Sequence, residues 1–140
     1  MIKILFSNGG YPIKHSLVKR VIKIASRRAK KIKGEIEVNI VDGQTIKKLN
    51  KLFRQKNQVT DVLSFAWQEE KRITSPMLGQ IFICYPQIKR QAKEYELAVE
   101  TEFIRMLTHG LLHLVGHDHG NSREAKIMFA LQEKIIGEVD

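Results

Sequence analysis

A single cysteine, three prolines and one tryptophan in 140 residues, with acids well outnumbered by bases, narrow the class of this chain before any motif is read. Cys84 alone cannot close an internal disulfide, so no disulfide framework is expected and a reducing, cytoplasmic setting fits. No uninterrupted apolar stretch reaches the roughly 18 residues that a spanning helix needs, which leaves a membrane out of the expected partners. The opening Met1-Ile2-Lys3-Ile4-Leu5-Phe6 is too short and too soon polar for a secretory signal. The prolines are scattered, and neither repeats nor low-complexity segments are visible. With 43% hydrophobic content, one domain over residues 1–140 with one sizeable core is the expectation. The shortage of acids is the more telling one. Twenty-four Lys and Arg against 15 Asp and Glu leave a net charge of +9, a balance that favours a polyanionic partner.

Periodicity supplies the architecture. Ile2 to Ser7 reads as a first strand, with Asn8-Gly9-Gly10 and Pro12 as its turn. Leu17, Val18, Val21, Ile22, Ala25, Ala29 and Ile32 recur at helical spacing, and Gly34 ends that run. From Lys14 to Lys33 there is no acid, and Lys19, Lys23 and Arg27 form a basic stripe on the outer side of this helix. Glu35 to Val41 alternates as a half-buried strand. Asp42 caps a helix from Gly43 to about Phe53, with Ile46, Leu49, Leu52 and Phe53 expected to point inward. A polar loop leads into a short strand over Asp61 to Phe65. Ala66 to Met77 reads as a surface loop, in which Trp67 suits a core position better than a base-stacking one, and Gln80 to Cys84 as a fourth strand. Helices over roughly Pro86–Tyr95 and Leu97–Val115 follow. Asn121 with Glu124 resembles a capping box for a last helix to about Ile136. Strands and helices interleave without strict alternation, so the expected class is α+β, a four-stranded mixed sheet with about five helices.

Four of the five histidines fall within residues 109–119, His-Gly-Leu-Leu-His-Leu-Val-Gly-His-Asp-His. His109 and His113 stand one turn apart on one helix face, at a span that suits two imidazoles on one ion. Gly116 is the residue type that ends a helix in a left-handed conformation, and the returning chain offers His119. Three neutral imidazoles with a fourth position left for water make a catalytic type of zinc site. Structural zinc sites are mostly closed and rich in cysteine, of which this chain has only Cys84. The layout H-x-x-x-H-x-x-G-x-x-H shares the ligand spacing of metzincin proteases, yet Gly110 stands where those enzymes carry their glutamate base. A protease would lose its proton acceptor. His117 is a flanking residue on this reading.

The fuller string H-G-x-L-H-L-x-G-x-D-H, from His109 to His119, resembles the signature of the YbeY family of metal-dependent endoribonucleases. Asn50 and Arg54 ahead of Thr60-Asp61-Val62-Leu63-Ser64-Phe65 resemble the family's N-x-x-x-R and T-D-V-L-S-F, and Leu78-Gly79-Gln80-Ile81 resembles L-G-D-I. Gln80 departs from the usual aspartate and is given no catalytic role. The resemblance covers essentially the whole chain. It implies cleavage of single-stranded RNA in ribosomal RNA maturation, at the 3′ end of small-subunit RNA, and in ribosome quality control. The small ribosomal subunit and assembly factors would be its partners.

Residue by residue, His109, His113 and His119 are the expected metal ligands. Zinc suits them best, although imidazole also takes nickel. Arg54 is expected to hold or stabilise the scissile phosphate through its always-charged fork. Asp118 beside His119 is either an orienting or proton-accepting carboxylate or the cap of its own turn. Thr60, Asp61 and Ser64 are read as structural supports, and Lys19, Lys23 and Arg27 as contacts to RNA backbone outside the pocket. Two other classes stay open: a ribosome-associated RNA-binding factor with a structural zinc, and, on ligand spacing alone, a metalloprotease-like hydrolase.

Overall fold

The computed structural model describes residues 2–67 and 77–139. In chain order the elements are β1 (Ile2–Ser7), α1 (His15–Arg28), β2 (Gly34–Val41), α2 (Gly43–Arg54), β3 (Val62–Ala66), β4 (Met77–Cys84), α3 (Tyr85–Glu94), α4 (Val99–Leu114) and α5 (Ser122–Val139). The strands lie in the order β1-β2-β4-β3, the first three parallel and β3 antiparallel to β4 at the edge. Parallel neighbours need long crossovers. α1 supplies the one between β1 and β2, and α2 with β3 fills the one between β2 and β4. The result is the expected α+β fold with a four-stranded mixed sheet and five helices.

Pairing register shows how alternation divides the sheet into two faces. Ile36 lies beside Gly79, Val38 beside Ile81 beside Ser64, and Ile40 beside Ile83 beside Val62. This row joins Val18, Val21 and Ile22 of α1, Phe103, Leu107 and Leu111 of α4 and Ile135 of α5 in the main core. On the other face Leu63 and Cys84 meet Ile46 of α2, with Leu49, Phe65 and Phe82 packed against them.

Local chemistry sets several element ends. Asp42 Oδ1 accepts the Thr45 N–H at 2.8 Å, a side-chain N-cap that starts α2. Asn121 Oδ1 does the same for Glu124 N–H at 2.8 Å and starts α5. Helix α1 stops earlier than its apolar spacing suggests. Its backbone leaves the helix at Ala29, yet Ala29 and Ile32 stay buried, because the non-helical segment after it turns Ile32 into the same core. Gly34, at φ 86°, opens β2 in the left-handed region.

Three other expectations are corrected. Leu52 and Phe53 do not point inward: they are 72% and 58% exposed. In the last turn of α2, Phe53 packs one edge on Phe65 of the edge strand, at 5.3 Å between ring centroids, and Leu52 is turned to solvent. Trp67 is no core residue either. It is partly exposed, and its indole N–H donates to Gln80 Oε1 at 3.2 Å. β4 begins at Met77 rather than Gln80. Of the expected loop from Ala66 to Met77, residues 68–76 lie outside the described ones, Ala66 ends β3 and Met77 opens β4.

Two glycines let α4 sit close on β3 and β4. A Cβ on Gly79 would stand 2.5 Å from the Phe65 carbonyl oxygen and 2.5 Å from Leu114 Cδ2. One on Gly110 would stand 3.0 Å from Ser64 Oγ and 3.2 Å from Ile81 Cγ2. Ser64 Oγ also donates to the Gly110 carbonyl at 3.1 Å. Gly79→Ala is therefore expected to lower stability by about 1–3 kcal/mol, since the Phe65 backbone cannot yield as a side chain would. Gly137 lies in α5, where an added Cβ would have no other residue within 4 Å. It should respond oppositely, Gly137→Ala gaining about 0.5 kcal/mol. Urea unfolding of the two variants checks both signs.

Candidate metal centre

Helix α4 is buried along most of its circumference. Glu102, Phe103, Ile104, Leu107, Thr108, Gly110, Leu111, Leu112 and Leu114 are all covered, which leaves a flank carrying Arg105, Met106, His109 and His113 half-open. The stripe 102, 105, 106, 109, 113 is one helix face. Because Gly110 and Leu114 are turned to the sheet, His109 and His113 look out over the edge at β3.

The turn after α4 brings in the third ring. Gly116, at φ 95°, takes the left-handed position after the helix. The His117 N–H returns to the Leu112 carbonyl at 3.0 Å and the Gly116 N–H to the His113 carbonyl at 3.1 Å. This is the double-bonded Schellman ending, and it reverses the chain so that His119 faces the helix it has just left. Ring centroids lie 4.5 Å apart for His109 and His113, 5.6 Å for His109 and His119, and 5.4 Å for His113 and His119. One nitrogen from each ring falls within 4.8 Å of the others. Tetrahedral zinc with Zn–N bonds of about 2.0–2.1 Å requires nitrogens about 3.3 Å apart. The Nε2 atoms of His109 and His113 already stand at 3.0 Å. His119, with half its side chain exposed, has room to close the remaining gap.

The electrostatics suit a cation. Burial, and then the neighbouring His109 and His119 rings, push the pKa of His113 below the ordinary histidine value. The ring is thus held neutral, the form that ligates. His109 Nδ1 lies 3.0 Å from Gln132 Oε1, a contact from α5. Asp118 Oδ1 accepts the His119 backbone N–H at 2.7 Å and stands 3.4 Å from His119 Nδ1. Asp118 therefore both caps its turn and borders a ring of the cluster. His117 borders the cleft without joining the cluster.

The rings open into a cleft of about 710 Å³ between the α4 turn and the edge strand. Arg54 lies across it. Its guanidinium donates to the Ser64 carbonyl at 2.7 Å and sits 5.2 Å from the centroid of the Phe65 ring. Among the described residues one of its five N–H donors is so engaged, which leaves the others for a ligand. Asn50, 3% exposed, holds the segment behind Arg54: its Nδ2 donates to the Gln58 carbonyl at 3.0 Å and its own carbonyl accepts Lys56 N–H at 3.2 Å. Thr60, Asp61 and Ser64 border the cleft. Asp61 accepts the Val62 N–H at 2.7 Å, which starts β3. Lys19, Lys23 and Arg27 are carried on α1 and do not border the cleft, whereas Lys56 does. Gln80 is on the opposite sheet face, bonded to Glu37 and Trp67.

The chain matches the family described as "Endoribonuclease YbeY" over residues 12–140. It belongs to the YbeY family. A YbeY endoribonuclease of Ureaplasma urealyticum is 45% identical over 104 residues, 74% of this chain and 66% of that protein, so the matched part spans just under two thirds of that relative. One from Malacoplasma penetrans is 37% identical over 123 residues, 86% of this chain and 81% of the relative. A solution structure of a Thermotoga maritima protein superposes with a TM-score of 0.68 at 30% identity, covering 99% of this chain and 89% of that one.

The YbeY-type string from His109 to His119 thus forms a histidine cluster able to hold a metal, as its spacing suggested. The structure also accounts for Gly110: at that position the helix faces Ser64, Ile81 and Val62, which even a Cβ would crowd at 3.0–3.3 Å. Sequence reasoning missed Gln132 and Lys56. Gln132 carried a signal, being the polar member of the buried stripe Met128, Gln132, Ile135, Ile136, Val139. Lys56 had none beyond belonging to a basic loop.

Proposed function

We propose that this chain is a metal-dependent endoribonuclease that cuts single-stranded RNA in the cleft beside His109, His113 and His119, as one domain spanning residues 1–140. The observation that carries the reading is the juxtaposition of three convergent imidazoles with Arg54 in one open cleft. Zinc is the ion that a three-imidazole set with an open side suits, nickel being the nearest substitute. Bound there, a divalent ion would polarise a phosphoryl oxygen or lower the pKa of a water.

The chain's own residues supply the rest. Arg54, anchored by Ser64 and Phe65, points its remaining donors into the cleft, where a phosphate would be gripped bidentately and developing charge offset. Lys56 adds positive charge at the same wall. Asp118 orients His119 through the contact at Nδ1. Lys19, Lys23 and Arg27, remote from the cleft, would hold RNA backbone on a second surface. Family membership favours ribosomal RNA precursors as substrate, the 3′ end of small-subunit RNA and ribosome quality control as the setting, the small subunit and assembly factors as partners, and the cytoplasm as location. No helix among the described residues is long and apolar enough to cross a membrane.

The rival reading, an RNA-binding factor with a structural zinc, is disfavoured by the ligand set itself. The third ligand is exposed and the cleft is open, whereas structural sites are closed by four protein ligands. Chelation separates the two. The chelated protein should keep its circular dichroism and melt cooperatively while cleavage of a labelled single-stranded RNA stops, and His113→Ala should behave likewise. Unfolding on chelation would make the metal structural.

Arg54→Ala is expected to fold normally and cut about 10²-fold more slowly, the cost of losing a preorganised charge partner. An unchanged single-turnover rate would remove Arg54 from the site. Charge reversal at Lys19 and Lys23 should weaken RNA binding and reduce the slope of log affinity against log salt by about 0.7 for each phosphate no longer neutralised. An unaltered slope would leave the stripe as solvated surface.

A further inference from the structure

Gln132 is 3% exposed in the middle of α5, among residues that are otherwise apolar. A buried amide costs free energy unless it is hydrogen-bonded. Its oxygen lies 3.0 Å from Nδ1 of His109 on the neighbouring helix. A carbonyl oxygen can only accept, so Nδ1 must carry the ring proton and Nε2 is left with a free lone pair. That Nε2 is the atom turned to the other rings, 3.0 Å from Nε2 of His113. An amide turned the other way would place its N–H₂ against Nδ1, move the proton to Nε2 and close that ligand atom to any ion.

The helix carrying Gln132 is fixed against α4 at the neighbouring position. Glu133 Oε1 accepts from Arg105 Nη1 at 2.7 Å, and Arg105 Nε stands 3.7 Å from the buried Glu102. Arg105 and His109 are one turn apart on the same half-open flank. The ion pair and the amide contact therefore lock the two helices side by side, one through charge and one through the ligand ring.

We propose that Gln132 is a positioning residue of the metal centre, its side-chain carbonyl holding His109 as the Nδ1–H tautomer and presenting Nε2 to the ion. The inference rests on the metal reading above. A ligand histidine takes its tautomer and orientation from the partner of its second nitrogen, and loss of such a partner lowers metal affinity by about 10–100-fold.

Wild type, Gln132→Met and Gln132→Glu are to be compared by two readouts. Ring nitrogen–proton correlation spectra of the metal-free proteins report the His109 tautomer, and competition with a chromophoric chelator reports affinity for zinc. The expected result is an Nδ1–H ring in wild type, loss of that tautomer with zinc binding about 10–100-fold weaker in Gln132→Met, and restoration of both in Gln132→Glu, which keeps the acceptor. A Met variant that binds zinc as tightly as wild type overturns the role of Gln132 and leaves the metal reading intact. A wild-type chain that binds no zinc overturns the metal reading itself. Should Gln132→Met not fold, the wild-type spectrum decides: an Nε2–H ring at His109 overturns the proposal.

Discussion

The close seat of α4 on the β3–β4 pair sets the angular position of everything on that helix. At Gly79 and Gly110 the missing side chains let the helix backbone reach the sheet, and Ser64 fixes the contact by donating to the Gly110 carbonyl. A helix rotates about 100° per residue. Once Gly110 and Leu114 face the sheet, His109 and His113 can only face the open edge. Interiors are close-packed, so the helix cannot rotate to another setting without creating overlap or voids. The same seating explains why this chain has no glutamate after its first histidine: that position is committed to packing.

The third imidazole depends on a different constraint. His119 has left the helix, and its return is set by the left-handed Gly116 and the two hydrogen bonds that close the helix end. Two rings thus ride on a rigid, buried helix and one on a turn with an exposed side chain. That combination holds part of a site in place while leaving its outer side accessible. At His113 the neutral imidazole is favoured, because burial and the neighbouring rings disfavour its protonation. The opposite wall is cationic, with Arg54 held to the edge strand by the Ser64 carbonyl and the Phe65 ring. Ser64 therefore serves both walls, its hydroxyl bonded to α4 and its carbonyl to Arg54.

Gln80 illustrates how a departure from a family pattern can be absorbed locally. It is paired with Glu37 across β2 and β4, on the face away from the histidines. There its neutral amide donates to the Glu37 carboxylate and accepts from Trp67. An aspartate at this position would set a like charge beside Glu37. The glutamine gives the carboxylate a donor instead, and the histidine cleft is not bordered by it.

What the sequence determined by itself was local and periodic. The four strands, the five helices, the Asp42 and Asn121 caps and the helix-ending Gly116 follow from neighbours within a few residues, and so did the His109, His113, His119 set. Its errors arose where tertiary cover replaced periodicity. Ile32 is buried without being helical, because a non-helical segment turns it into the core. Leu52 and Phe53 carry an inward-facing spacing but reach the sheet's edge, where there is little left to cover them. The tertiary structure alone decided which distant groups meet: Arg54 against Ser64, Asn50 against Gln58, Ser64 against Gly110, and Gln132 against His109. Spacing within a helix or turn is a property of the local chain, whereas a contact between elements depends on how closely two surfaces approach. Here that approach was set by glycines whose meaning is visible only once the sheet lies beneath them.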